Sequence, residues 1–375
     1  MSDLSQIQYS FTGEIMSPLL KRRTTTSDIE DALKNPDIED NSTSELNLIK
    51  AAMNLKKTLS TGSTLLDLAI SGMTTEEGGV PGGMYLEIFG PSGAGKTALL
   101  SELSASCQNK GGDVRFCDPE ARLDKEYSRI YGVNVEEHFD YHRPDTVSEM
   151  FVDYIWPWAP KNTDAINMIA ADSIASLSTD TEMDKDEGDK MGMRRAKEFS
   201  EGLRKTCRLI AKRQWLIAFS NQVRTDKDTG RDIAPGGQAI AFYASLRLKI
   251  KPSFPSWQIK KTIALPSGVK VEQVIGIKST VTVVKSSVDV PYREADISVI
   301  FGFGVDDVRD QLQWYKDITK ETSYNCLDGK MIGTMEKAIQ HIEDNQLEKQ
   351  LKARTIEMWR SIQERFVSTR KPKLR

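Results

Sequence analysis

From about residue 58 onward, short uninterrupted apolar runs alternate with stretches whose apolar residues recur every three or four positions. The runs Met84–Phe89, Val114–Cys117, Ile166–Ala171 and Leu216–Ser220 predict strands. Continuous apolar character, rather than alternation, predicts a parallel sheet covered by helices on both faces. Ser245–Lys251 differs, because Leu246, Leu248 and Ile250 alternate with Arg247, Lys249 and Lys251, as in a half-exposed edge strand. Lys278–Lys285 and Ala295–Phe301 extend this edge in antiparallel fashion. Pro252, Pro255 and Pro266 make residues 252–270 a loop. The expected fold class is therefore α/β, a mostly parallel sheet with an antiparallel edge, spanning residues 58–304.

The flanks read differently. Residues 1–45 are poor in large apolar side chains and rich in Ser, Thr and acids, which predicts an extended arm. Leu46, Ile49, Ala52 and Met53 then mark a helix up to Lys57, so 1–57 forms an arm with a docking helix. Beyond Gly304 the pattern turns helical and polar, predicting a small α+β domain over 305–365. Arg370, Lys371, Lys373 and Arg375 give 366–375 a basic tail.

Composition narrows the setting. No apolar run in the 375 residues reaches the ~18 of a membrane span, and the start lacks a basic-then-apolar leader. Cys107, Cys117, Cys207 and Cys326 are too scattered for a disulfide framework, so a reducing cytosol is the expected location. With 51 basic against 54 acidic residues the net charge is −3, at first sight unsuited to nucleic acid. Nine acidic and four basic residues of that total sit in the first 45 positions, so the remainder is slightly basic. His138, His142 and His341 have no zinc-like partners nearby. Trp156 and Trp158 read as core or interface.

Gly90-Pro91-Ser92-Gly93-Ala94-Gly95-Lys96-Thr97 matches G-x-x-x-x-G-K-[ST], with Ala98 continuing into a helix. It follows a strand and precedes Leu99, Leu100 and Leu103, the setting that a phosphate-binding loop requires. Backbone amides and a helix N-terminus would wrap the phosphates of ATP or GTP, Lys96 would span the β and γ oxygens, and Thr97 would hold Mg²⁺. Asp172 ends an apolar strand, either polarising the Mg²⁺ shell or capping the next helix. Glu120 lies just past another strand, where it would orient or deprotonate water or simply be a solvated loop acid. Two charged, glycine-containing stretches suit phosphate contacts or surface loops. Thr179–Lys197 carries Met191, Arg194 and Arg195, and Val223–Gly237 carries Arg224, Lys227, Arg231, Gly236 and Gly237.

These elements, in this order, resemble the RecA family of recombinases. The matching stretches include Leu59-Ser60-Thr61-Gly62-Ser63, Phe116–Asp124, Ala171–Leu177, Asn221-Gln222-Val223-Arg224, Phe242–Leu248 and Val281–Lys285. The resemblance implies a RecA-like P-loop NTPase core with an extended N-terminal arm and a small C-terminal domain. It implies an ATP- and Mg²⁺-dependent protein that forms a helical homo-oligomer on single-stranded DNA, pairs it with double-stranded DNA and exchanges strands. It assigns the hydrolytic water to Glu120, the adenine surroundings to Asp124 and Tyr127, and γ-phosphate sensing to Gln222. Lys285 would reach a neighbour's γ-phosphate, unless it is a solvated strand lysine. The two charged stretches fall where the family binds DNA, with Met191 as an apolar wedge.

The sequence also departs from the family. Ser287 stands where a second lysine is frequent, Ala241 precedes Phe242 where a lysine is common, and 252–270 is longer than expected. These departures leave one rival, an ATP-gated DNA-binding scaffold with weak turnover. A second, a ring-forming helicase motor of the same superfamily, is opposed by Glu120 with Ala121-Arg122-Leu123-Asp124 and by Phe242–Leu248. A phage-encoded or otherwise outlying member fits the departures.

Overall fold

The computed structural model describes residues 57–180, 191–225, 232–233, 237–368 and 370. The expected arm, nearly all of its helix and the end of the basic tail lie outside them, as do Lys227, Arg231 and Gly236. In chain order the elements are β1 (Thr58–Leu59), α1 (Thr64–Ser71), β2 (Val80–Pro81), β3 (Met84–Gly90), α2 (Lys96–Asn109), β4 (Val114–Cys117), α3 (Lys125–Ile130) and β5 (Phe139–His142). Next come α4 (Val147–Glu149, continued as a π-helical stretch Met150–Ile155), β6 (Met168–Ala171), a 3-10 turn Ile174–Ser176, α5 (Met191–Arg213) and β7 (Leu216–Gln222). They are followed by β8 (Arg224–Thr225), β9 (Asp232–Ile233), α6 (Gly237–Tyr243), β10 (Leu246–Pro252), β11 (Gln258–Ala264), β12 (Lys270–Ser286), β13 (Glu294–Ile300) and β14 (Gly304–Val305). The chain closes with α7 (Asp307–Thr319), β15 (Tyr324–Asn325), β16 (Met331–Ile332), α8 (Met335–Asp344) and α9 (Glu348–Glu364).

The central sheet runs β14-β13-β12-β10-β3-β7-β6-β4-β5, with β11 paired to β12. From β10 to β5 every pairing is parallel, while β10, β12, β13 and β14 pair antiparallel. Among the parallel strands, β3, β4, β6 and β7 are the continuous apolar runs, with β3 and β6 buried throughout. By contrast β10 alternates although it lies inside the sheet between β3 and β12, and β5 is half-buried. One face is filled by Trp215, Phe151, Phe199 and Phe219 beneath α5, with the Trp158 and Trp215 rings 4.9 Å apart. Cys107 and Cys117 are buried, and burial pushes both thiols up to about 12.

Residues 307–364 enclose a small cluster of their own, Leu312, Cys326, Ala338, Ile342 and Leu351. They are tied back to the core where Asp307 accepts from the Thr64 amide and hydroxyl, both at 2.7 Å.

Three expectations change. Residues 252–270 are not simply a loop, because β11 and the start of β12 form a hairpin whose prolines sit at its ends. The basic end of Thr179–Lys197 is helical, since α5 begins at Met191. Within Val223–Gly237, β8 and β9 pair antiparallel and α6 opens at Gly237.

Acids line the seam between α1, α2 and α7. Burial raises Asp67 to about 6, Glu102 to about 7 and Asp310 to about 8. Glu102 accepts from the Val305 amide at 3.2 Å, and the acids Asp307 and Asp67 nearby raise it further. A raised carboxyl contributes stability at low pH that is lost as pH climbs through its folded value. Glu102→Gln is therefore expected to gain on the wild type between about pH 5 and pH 8, approaching roughly 3 kcal/mol at the upper end. Urea unfolding at both pH values checks this, and a pH-independent difference would contradict it.

Candidate functional site

β3 delivers the chain to the loop at Gly90, and two glycines show why the loop has this sequence. A Cβ at Gly90 would lie 2.0 Å from the Ile250 carbonyl of β10, so the strands approach each other only without one. Gly95 has φ 101°, in the left-handed region, immediately before α2 begins. The turn of the loop thus aims its backbone amides and the α2 N-terminus at one space.

Lys96 folds over this loop, its Nζ donating to the carbonyl oxygens of Gly90 (3.1 Å) and Pro91 (2.8 Å). Burial lowers its pKa, and the nearby Asp172 and Glu120 oppose that shift. Thr97 Oγ1 donates to Asp172 Oδ2 at 2.5 Å, and the Ser220 hydroxyl donates to the other oxygen. Burial raises Asp172, while the Ser220 and Thr97 hydrogen bonds hold it down. A hydroxyl beside a carboxylate suits Mg²⁺, which keeps several waters and completes its shell with phosphate oxygens. Among the described residues no group of three or more His, Cys, Asp or Glu forms a cation cage.

Glu120 hangs over the same space. Its Oε1 accepts from Ser173 Oγ (2.5 Å), Ser176 Oγ (3.0 Å) and Gln222 Nε2 (3.1 Å). Its Oε2 meets Arg122 Nη1 at 2.8 Å, where the arginine is 77% exposed and the glutamate 12%. Gln222 arrives because Gly90 and Gln222 are paired at the ends of β3 and β7. The 118–124 segment is held by Asp118, which accepts from the Leu123 amide (2.7 Å) and the Tyr141 hydroxyl (2.8 Å).

Together these groups line a cleft of about 680 Å³. Asp124 caps α3, accepting from the Glu126 amide at 2.8 Å, and Tyr127 lies along the cleft with its hydroxyl 2.7 Å from that of Tyr131. The opposite wall is Ile277, Val299 and Phe301 from the antiparallel edge, with Phe301 60% exposed. Sequence reasoning missed Tyr131, Ile277 and Phe301, as well as Ser173, Ser176 and Arg122 around Glu120. Ser173 and Ser176 were legible only as neighbours of Asp172.

Other candidates lie elsewhere. Lys285 is outside this cleft, and its Nζ donates to the carbonyls of Ala241 (3.0 Å) and Phe242 (2.9 Å), closing the end of α6. Arg194 is exposed near the start of α5. Arg195 turns inward, its Nη1 donating to the Ala175 (3.4 Å) and Leu177 (3.3 Å) carbonyls on either side of Ser176. Met191 opens α5 and Arg224 lies in β8.

A phosphate-type loop between a buried parallel strand and a helix, with acids at adjacent strand ends, defines a P-loop nucleotide-binding α/β protein. The RecA N-terminal domain family matches residues 27–306. The chain is 34% identical to Protein RecA of Thermus thermophilus over 253 residues, 67% of this chain and 68% of that one. It is 32% identical to Protein RecA of Thioalkalivibrio sulfidiphilus over 256 residues, 66% and 67% of the two chains. The chain belongs to the RecA family.

The two loop glycines respond to different constraints. Gly95→Ala meets no atom closer than 3.6 Å, so its cost is the backbone term, about 1–2 kcal/mol. Gly90→Ala must push β3 from β10 and is expected to cost more. Urea unfolding of both variants ranks them, and the reverse order would contradict this loop geometry.

Proposed function

We propose that this chain is an ATP-dependent recombinase that forms helical filaments on single-stranded DNA and pairs that strand with homologous duplex, hydrolysing ATP as it does so. The observation that carries the hydrolytic part is the convergence of Lys96, Thr97, Asp172, Glu120 and Gln222 on one cleft. Family membership supports the DNA part. In this reading residues 1–57 serve self-assembly, 58–304 form the ATPase core, 305–365 a small domain and 366–375 a basic tail, working in the cytosol.

Each residue has a role that follows from its surroundings. Lys96 exchanges its two loop carbonyls for phosphate oxygens, and the amides of residues 90–98 cradle the phosphates. Thr97 and Asp172 would hold a Mg²⁺ ion through its water shell, and that ion would supply neutralisation of phosphate charge. Glu120 orients the attacking water and accepts its proton. Gln222 bridges the loop that follows β7 and Glu120, so movement of that loop reaches the base through one hydrogen bond. The adenine occupies the space by Asp124 and Tyr127, faced by Phe301. Lys285 neutralises γ-phosphate charge on a neighbouring subunit. Met191, Arg194, Arg224, Lys227, Arg231, Gly236 and Gly237 form the DNA contacts, and Arg195, turned inward, ties that surface to the Ala175 and Leu177 carbonyls.

A second reading, an ATP-gated scaffold with weak turnover, is favoured by Ser287 in place of a cation and by the engagement of Lys285 with Ala241 and Phe242.

ATPase assays with and without single-stranded DNA separate the two. Glu120→Gln is expected to lose turnover by roughly 10²-fold or more while still binding ATP, and Lys96→Ala to lose ATP binding. DNA is expected to stimulate the wild type. Absence of stimulation together with an unaffected Glu120→Gln rate would favour the scaffold. Closed rings on DNA in electron micrographs would favour a helicase-type motor.

A further inference from the structure

The outer part of the β11–β12 hairpin, from Lys260 to Gln273, has no part in the cleft. β13 pairs with β12 only as far as Gly276, so from Lys260 to Gln273 the hairpin stands beyond the body of the sheet. Every residue over this stretch is exposed. The arm is nonetheless a regular ribbon, paired from Lys260↔Val274 to Ala264↔Lys270 and about 15 Å long at strand rise. Its turn is closed by Gly268 N to Leu265 O (2.9 Å) and Leu265 N to Val269 O (2.8 Å), with Gly268 at φ 83°. Pro266 sits in this turn, at the tip.

The charge of the ribbon and its stem is unlike that of the chain. Residues 249–278 hold six lysines and no arginine, against one glutamate, whereas the chain carries −3 overall. The ladder alternation puts Lys260 and Lys270 on one face of the arm and Lys261 on the other. Glu272 answers one of them, Lys260, at 2.8 Å. Cations therefore flank both sides of a tip bearing Ile263, Leu265, Val269 and Val271, each exposed.

We propose that this ribbon is an arm that grips duplex DNA, its lysines on the two phosphate rows and its apolar tip in the groove between them. A two-stranded ribbon fits the major groove, about 12 Å wide. Apolar side chains at the tip suit that groove, where they meet the thymine methyl groups on the base edges. Cations that are all lysine point away from a protein partner, because protein interfaces are depleted in Lys and enriched in Arg. Four side chains at a tip also fall well short of the roughly 800 Å² per partner that a stable contact between copies needs. This inference rests on the reading of the chain as a DNA-binding protein but not on its two loops.

The test uses the full chain with Lys260, Lys261 and Lys270 all changed to Gln, and a second variant with all three changed to Arg. Binding of a labelled duplex and a single strand of equal length is followed by fluorescence anisotropy at several salt concentrations. The Gln variant is expected to lower the duplex salt slope by about 2–3 and to weaken duplex binding roughly tenfold at about 0.1 M salt. Single-strand affinity stays unchanged, and the Arg variant restores the duplex slope. An unchanged duplex slope overturns the proposal and leaves the lysines as guards of an exposed strand edge. Equal losses on both DNAs overturn it too, as does loss of self-association in DNA-free protein with duplex affinity intact. Wild type that binds neither DNA would instead overturn the DNA reading as a whole.

Discussion

The carboxylate of Asp172 is the joint on which the cleft depends. A carboxylate largely withdrawn from water requires donors, and Asp172 takes them from Thr97 on α2 and Ser220 on β7. Three elements are thereby pinned at the end of β6. Parallel register does the rest: Ala171 faces Phe219, and Gly90 faces Gln222, so the strands end in step. The loop, the metal-side acid and the glutamine emerge on one edge, where open α/β sheets bind ligands. Glu120 then closes over that edge by drawing on Ser173, Ser176 and Gln222, which come from two of these strand ends.

What was legible in the sequence was what is local. The phosphate loop, Asp172 and Glu120 each sit within a few residues of an apolar run, so strand and chemistry are read together. The opposite wall was invisible, because Ile277 and Phe301 reach the cleft through strand pairing across a large gap in sequence. Arg122 reads as an ordinary exposed cation until the Glu120 oxygen beside it is known. The hairpin was mistaken for a loop because Pro252, Pro255 and Pro266 were weighed together. They lie at the base and in the turn, where proline removes no ladder hydrogen bond between the arms. The basic segment before Phe199 was likewise read as a loop, because its charge masked a helix that buries the apolar face bearing Phe199 and Leu203.

Arg195 gives a second route to Glu120, beside the one through Gln222. Its guanidinium holds the carbonyls of Ala175 and Leu177, and the residue between them donates to the glutamate. The start of α5 and the end of β7 are thus each connected to one carboxylate by a short hydrogen-bonded path. Both lead from segments rich in charge and glycine toward a site built from buried, regular elements. Rigid strands set distances, and the irregular segments after them carry whatever varies.

The thiols have a consequence for the chemistry the molecule can tolerate. Cys107, Cys117 and Cys326 are buried, Cys207 is half-buried, and desolvation raises all four. Thiolate, the form that peroxide and disulfides attack or are attacked by, is scarce at neutral pH for every one of them. None of the four thiols has the exposed, low-pKa setting in which a cysteine reacts readily with oxidants. The same inertness makes a cysteine introduced at exposed Ser267 a selective handle, addressable without removing any native sulfur.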